Sequence, residues 1–141
     1  MNLQKRKNFK RLMSPKNIAF FGGRDIEVAI TEAKRRGFSG EIWPVNPKRK
    51  SILGIECFSS IAELPRAPDA SFIAVPAKSV PNVIKELSSI GAGGVVCYSA
   101  GFSETGPKGQ ALEKEINLLA NDMPIIGPNC YGFINYLDNV A

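Results

Sequence analysis

Asn17-Ile18-Ala19-Phe20-Phe21-Gly22-Gly23-Arg24-Asp25-Ile26-Glu27-Val28-Ala29-Ile30-Thr31-Glu32-Ala33 sets the reading of the whole chain. Its first five residues form a short apolar run that Gly22-Gly23 stops, the pattern of a buried strand closed by a glycine turn. From Asp25 the spacing changes. Ile26, Ala29, Ile30 and Ala33 fall at i, i+3, i+4 and i+7, one apolar stripe of a helix over Asp25–Arg36. Asp25 and Glu27 stand in its first turn and Lys34, Arg35 and Arg36 in its last, the order the helix dipole favours. Gly37 ends it.

The alternation continues outward from this unit. Glu41–Val45 is a second strand, with Pro44 placing it near an edge or a strand end because proline lacks a ladder donor. After the basic loop Asn46-Pro47-Lys48-Arg49-Lys50, a short strand is expected near Ile55–Phe58. Ser60 and Glu63 have capping-box spacing for one helical turn. Ala70–Val75 is another buried strand, and Val80, Val83, Ile84 and Leu87 repeat the helical stripe. Gly94–Tyr98 is a strand. Leu112, Ile116 and Leu119 mark a helix of about four turns from Pro107. Pro124–Ile126 is the last strand, running into Gly127-Pro128-Asn129-Cys130.

Near-continuous apolar strands alternating with helices predict a parallel sheet covered on both faces. The expected fold is α/β, a Rossmann-like doubly wound parallel sheet with strand order 3-2-1-4-5-6 and Ile55–Phe58 as a weak edge. At 141 residues, 44% hydrophobic and 22% charged, the chain has one domain's worth of ordinary globular sequence. No apolar run approaches the roughly 18 residues that span a bilayer, so no membrane role is expected. Cys57, Cys97 and Cys130 form no CxxC pair, which points to a reducing, cytoplasmic setting. The absence of histidine excludes His-based acid–base, metal or phosphoryl-relay chemistry within this chain. No metal site and no catalytic residue is expected.

Charge is uneven. Six of the 18 basic side chains (Lys5, Arg6, Lys7, Lys10, Arg11, Lys16) lie within residues 1–16, which hold no acid. The remainder carries 12 basic against 13 acidic side chains. Residues 1–13 are read as a solvated basic lead-in rather than a nucleic-acid arm, because one arm on a near-neutral body makes a poor phosphate-binding face.

Ligands of open α/β sheets bind beyond the carboxyl ends of the strands, where the order reverses. Five loops of mostly small residues converge there. They contain Gly22-Gly23-Arg24, Asn46-Pro47-Lys48-Arg49, Val75-Pro76-Ala77-Lys78, Tyr98-Ser99-Ala100-Gly101-Phe102 and Gly127-Pro128-Asn129-Cys130. Small side chains let backbone N–H groups approach a ligand, and the helix at Asp25 offers its positive end to an anion. The glycine pair reads equally as a tight turn or a phosphate cradle, and Arg24 favours the cradle. The second strand ends in Asn46-Pro47-Lys48 where an NAD fold carries an acid for the ribose. A basic run there suits an adenosine with an extra phosphate, as in coenzyme A or NADP; it also fits a solvated turn.

Together these loops resemble the CoA-binding domain of nucleoside-diphosphate-forming acyl-CoA synthetases. This domain occurs in ADP-forming acetyl-CoA synthetase, the succinyl-CoA ligase alpha subunit and some protein-lysine acetyltransferases. The resemblance rests on Ser14-Pro15-Lys16-Asn17-Ile18-Ala19, Trp43-Pro44-Val45-Asn46-Pro47-Lys48, Ala74-Val75-Pro76-Ala77, Ser99-Ala100-Gly101-Phe102-Ser103-Glu104 and Ile126-Gly127-Pro128-Asn129-Cys130-Tyr131-Gly132. These motifs run in the family's order from about Leu12 to Asn135. The resemblance implies that Gly22, Gly23, Arg24, Asn46, Pro47 and Lys48 hold the phosphorylated ADP part of coenzyme A. It implies that Val75, Pro76, Ala77, Ser99 and Ala100 line the pantetheine path, with Asn129 and Cys130 near the thiol. Gly23-Arg24 departs from the family's Gly-Ala-Ser opening and the longer stretch after it, which transfers some diphosphate contacts to Arg24.

Cys130 is read as an unreactive pocket wall, since no Cys–His pair can form in this chain. Residues 14–141 are expected to be a CoA-binding domain of a longer protein. Its succinyl-CoA-ligase-like and ATP-grasp domains would be supplied in cis or trans, and coenzyme A or acyl-CoA would be the ligand. A free-standing CoA-binding regulatory or carrier protein is the alternative, and an NADP-binding domain a further one.

Overall fold

A computed structural model describes all residues, Met1–Ala141. In chain order the elements are α1 (Leu3–Met13), β1 (Asn17–Gly22), α2 (Arg24–Arg35), β2 (Glu41–Val45), β3 (Ser51–Ile52) and β4 (Ile55–Glu56). They continue with β5 (Ala70–Ala74), α3 (Val80–Ser89), β6 (Val95–Cys97), α4 (Pro107–Ala120) and β7 (Ile125–Ile126). Single 3-10 turns occupy Ile61–Glu63, Ala77–Ser79 and Ser103–Thr105. No helix is long and apolar enough to cross a membrane.

Five strands form a parallel sheet in the order β2-β1-β5-β6-β7. The Rossmann-like α/β fold expected from the alternation is therefore present, and the order reverses between β1 and β5. Alternation along β1 sends Ala19 and Phe21 to one face and Ile18 and Phe20 to the other. The first face packs against Val80, Ile84 and Leu87 of α3 and Ile116 and Ala120 of α4. The second packs against Leu12 of α1 and Ile26, Ile30 and Ala33 of α2. Each large apolar side chain so buried contributes on the order of 1.5–3 kcal/mol.

Three local expectations change. The Ile55–Phe58 segment is not an edge strand of the main sheet. Ile55–Glu56 pairs antiparallel with Ser51–Ile52 in a hairpin turned at Leu53-Gly54. Both turn residues have positive φ (50° and 76°), the geometry of a two-residue primed turn that matches strand twist. Only Phe58 reaches the outer edge of β2, as a single parallel bridge to Val45. The capping contact is displaced by one residue: Glu63 accepts from the N–H and hydroxyl of Ser59, both at 2.8 Å, and Ser60 does not cap.

The third change is the basic leader, which is a helix. Asn2 caps α1 by accepting from the Lys5 N–H at 2.8 Å, and Leu12 is wholly buried. Arg11 fixes the helix to the amino edge of the sheet. Its Nε donates to Asp69 at 2.7 Å, and its Nη1 and Nη2 reach the carbonyls of Gly91 and Pro68 at 2.8 and 3.2 Å. The other Asp69 oxygen accepts from the Lys16 N–H at 2.9 Å, and the Asp69 N–H donates to the Asn17 side chain at 2.9 Å.

Candidate functional site

The carboxyl edge of the sheet brings all five strand-end loops into one row, joined by hydrogen bonds from loop to loop. Asn46, just past β2, donates to the Gly22 carbonyl at 2.8 Å. Gly22 lies so close to β5 that a Cβ there would sit 2.7 Å from the Ala74 carbonyl oxygen, and its φ of +149° also favours glycine. Ser99, past β6, donates to the Val75 carbonyl at 2.5 Å. Asn129, past β7, donates its N–H to the Ser99 carbonyl at 3.0 Å, and the Cys130 N–H reaches the Cys97 carbonyl at 3.1 Å. A Cβ on Gly101 would stand 3.1 Å from the Ala77 methyl. Every sequence-predicted site residue thus belongs to one continuous edge.

The two ends of the row differ in charge. At the β1–β2 end, Gly23 is the N-cap of α2 and supplies no capping side chain, so first-turn N–H groups remain available. Arg24, the first helical residue, is exposed and forms no ion pair. Lys48 is exposed and equally unpaired through its ammonium group. Arg49 is committed elsewhere, with Nη2 2.7 Å from Glu27 of α2. At the β6–β7 end, Ser99, Ala100 and Asn129 present uncharged groups. Glu104, which is exposed, accepts from the Gly101 N–H, which lowers its pKa.

Asn46 serves as a brace. While its amide donates to Gly22, its Oδ1 accepts from the N–H groups of Lys48 and Arg49 at 2.8 and 3.1 Å. This Asx turn sets the loop shape that presents Lys48. The Asn-Pro dipeptide was the available signal for it. Glu27 escaped sequence reasoning because its partner lies 22 positions away, on another element.

Cys130 is partly buried, with its Sγ 3.7 Å from the Gly132 carbonyl. Burial drives the Cys97 thiol pKa up to about 11. A neutral, buried Cys97 is wall material; its carbonyl, rather than its sulfur, organises the neighbouring turn.

The geometry fits a long ligand with a polyanionic end and a neutral arm. Unpaired Arg24 and Lys48 flank a free helix N-terminus at one end, while closely spaced backbone groups line the other. Comparison with known proteins points the same way. Residues 23–136 match the family described as the CoA binding domain. The chain is 40% identical over 131 residues to an ADP-forming acetate–CoA ligase of Archaeoglobus fulgidus, covering 89% of this chain and 19% of that protein. It is 39% identical over 137 residues to a trans-feruloyl-CoA synthase from an unknown prokaryotic organism, covering 92% of this chain and 19% of that one. The solved apo structure of acetyl-coenzyme A synthetase 1 from Candidatus Korarchaeum cryptofilum superposes with a TM-score of 0.87 at 27% identity. That match covers 94% of this chain and 30% of the other. The chain thus spans about a fifth of the length of these two curated relatives.

Proposed function

This chain belongs to the CoA-binding domain family, homologous to the N-terminal region of nucleoside-diphosphate-forming acyl-CoA synthetases, and from that premise we propose how it holds its ligand and what it serves. Residues 14–141 form the CoA-binding unit. Coenzyme A, free or acylated, lies along the carboxyl edge with its phosphorylated adenosine at the β1–β2 end. The N-terminus of α2, Gly22, Gly23 and Arg24 meet the diphosphate. Lys48, presented by the Asn46-Pro47 turn, meets the extra ribose phosphate. Val75, Pro76, Ala77, Ser99 and Ala100 border the pantetheine arm, and Asn129 and Cys130 border the thiol.

The separation of charge along the loop row carries this reading. Two unpaired cations, Arg24 and Lys48, stand at the proposed phosphate end, while Val75, Pro76, Ala77, Ser99 and Ala100 at the proposed amide-arm end carry no charge. Coenzyme A supplies the thiol that accepts the acyl group; this chain's residues bind and orient it.

The whole protein would be a cytoplasmic acyl-CoA synthetase in which further domains or subunits bring the nucleotide and the phosphoryl relay. The 141 residues alone are expected to bind coenzyme A and to form no acyl-CoA from acid, ATP and coenzyme A.

Calorimetric titration with coenzyme A, dephospho-CoA, NADP and NAD tests the ligand. Coenzyme A should bind at least tenfold tighter than NAD. Lys48→Ala should weaken coenzyme A by about tenfold, the loss of one charge-assisted contact, while leaving dephospho-CoA nearly unchanged. NAD binding as tightly as coenzyme A would overturn the ligand class. Equal weakening of both CoA forms would remove Lys48 from the extra phosphate.

A further inference from the structure

The sheet's two faces are covered unequally. Over β5–β7, one face carries α3 and α4. The opposite face carries α2 beside β1, with α1 at the amino edge, and a half-open groove of about 560 Å³ remains between α2 and the C-terminal segment. Its floor is a row of aromatic rings crossing from strand to strand. Phe20 lies 6.1 Å from Phe72, Phe72 5.7 Å from Tyr98, and Tyr98 5.7 Å from Tyr131, centroid to centroid. One wall is α2, through Val28, Ala29 and Glu32; the other is Phe133 and Ile134. Val28 is 65% exposed and Tyr131 is 88% exposed, although both border an apolar surface.

This groove borders the ligand edge at Asp25 and Tyr98 but contains none of the residues assigned to coenzyme A: its floor is the face of β1, β5 and β6. An apolar surface of this size on a parallel sheet is the place where a doubly wound fold puts a helix. Its charged lining is mixed with an acidic excess, Asp25 and Glu32 against Arg36. Asp25 makes no ion pair, and Glu32 makes only an exposed one with Arg35 at 3.4 Å. The nearby cation, Arg36, sits over the Tyr136 ring at 5.8 Å. The helix wall therefore offers carboxylates to whatever lies in the groove.

We propose that this groove receives an amphipathic helix, with Lys or Arg beside its apolar stripe, from a neighbouring domain of the longer polypeptide. Relatives carry this module as 19% of a longer chain, so polypeptide to cover the face is at hand in those proteins. The helix lays residues at i, i+3, i+4 and i+7 on the aromatic row, and its cations meet Asp25 and Glu32. The groove is then an interdomain seat backing the same strands whose ends hold coenzyme A.

Fluorescence anisotropy tests this with the 141-residue chain. The probe is a labelled 18-residue peptide of Leu at i, i+3, i+4 and i+7 with flanking Lys, and a matched peptide carries Glu in place of Lys. The Lys peptide should bind saturably and at least tenfold tighter than the Glu peptide. Val28→Glu, at an exposed wall position, should weaken the Lys peptide at least tenfold. Glu32→Lys should weaken it at least threefold and improve the Glu peptide. Circular dichroism and coenzyme A titration of both variants should match wild type. Peptide binding unaffected by Val28→Glu, or no saturable binding, overturns the proposal. A wild-type dimer by light scattering that Val28→Glu dissociates also overturns it, by giving the groove to a second copy. Peptide binding without coenzyme A binding would leave this seat standing and defeat the ligand reading instead.

Discussion

The amino and carboxyl edges of the sheet are built on opposite principles. At the amino edge, polar side chains cross-link distant segments: Arg11 and Asp69 join α1, β1, β5 and the Gly91 turn through hydrogen bonds, all but the one from the Asp69 N–H to Asn17 charge-assisted. At the carboxyl edge, the loops are drawn together by backbone groups and short side chains, with Gly22 against Ala74, Ser99 against Val75 and Asn129 against Ser99. The first edge spends its polar groups internally and holds the fold. The second leaves Arg24 and Lys48 without ion pairs and the start of α2 without a side-chain cap.

The largest expected effect comes from breaking the amino edge. Asp69→Ala removes the acceptor of the Arg11 Nε and of the Lys16 N–H and should cost about 3 kcal/mol in chemical denaturation, in the range for partly buried charged hydrogen bonds. Coenzyme A affinity of the folded protein should stay within twofold. Loss of binding with fold retained would mean that the two edges are coupled.

Gly22→Ala attacks the carboxyl edge. The added methyl meets the Ala74 carbonyl and requires an unfavourable φ, so stability should fall by about 2 kcal/mol. Here binding should fall too, by tenfold or more in titration, because the β1 loop must shift. An unchanged affinity would show that the glycine serves packing alone.

The buried thiol gives a pH test. Cys97 has a folded pKa near 11 against an ordinary value of 9, so the folded state holds its proton more tightly than the unfolded chain. Stability from this source is complete below pH 9 and declines as pH rises toward 11, by about 2 kcal/mol. Cys97→Ala should flatten that excess slope in denaturation curves taken from pH 8.5 to 10.5; an identical slope in the variant would refute the assignment.

Glu27→Gln probes the seam between holding and binding. It frees Arg49 from its 2.7 Å partner, beside Lys48. Coenzyme A should then bind two- to threefold tighter with dephospho-CoA unaffected. Weaker coenzyme A binding would mean that the ion pair positions the loop. The smallest effect is expected at Ser71, whose buried hydroxyl has no hydrogen-bond partner. Ser71→Ala should change thermal stability by less than about 1 kcal/mol and leave binding intact, since no bond is broken. A large loss would reveal a partner for the hydroxyl.

Much of the fold was legible in order along the chain. The strand at Asn17–Gly22, the α2 stripe and the later strands were readable because the residues that define each lie within a dozen positions. The row of five loops followed from that alternation, since strands of a doubly wound sheet end on one side. The basic leader was legible as a solvated stretch, and residues 1–7 are exposed, but its helix was not. Its helix is held by Leu12 in the core and by Arg11 on an aspartate 58 residues away.

What the sequence by itself determined is the repeating unit, the two apolar faces and the identity of the loops at the carboxyl edge of the sheet. Local periodicity writes these directly into neighbouring residues. What only the tertiary structure decided is partnership. Arg49 belongs to Glu27 while Lys48 and Arg24 stay free, and Asn46 braces Gly22. Ile55 turns back on Ile52 instead of joining the sheet, and an aromatic row is left open beside α2. Each of these is a competition among several chemically suitable partners. Distance in space settles it, and only the folded chain sets that distance.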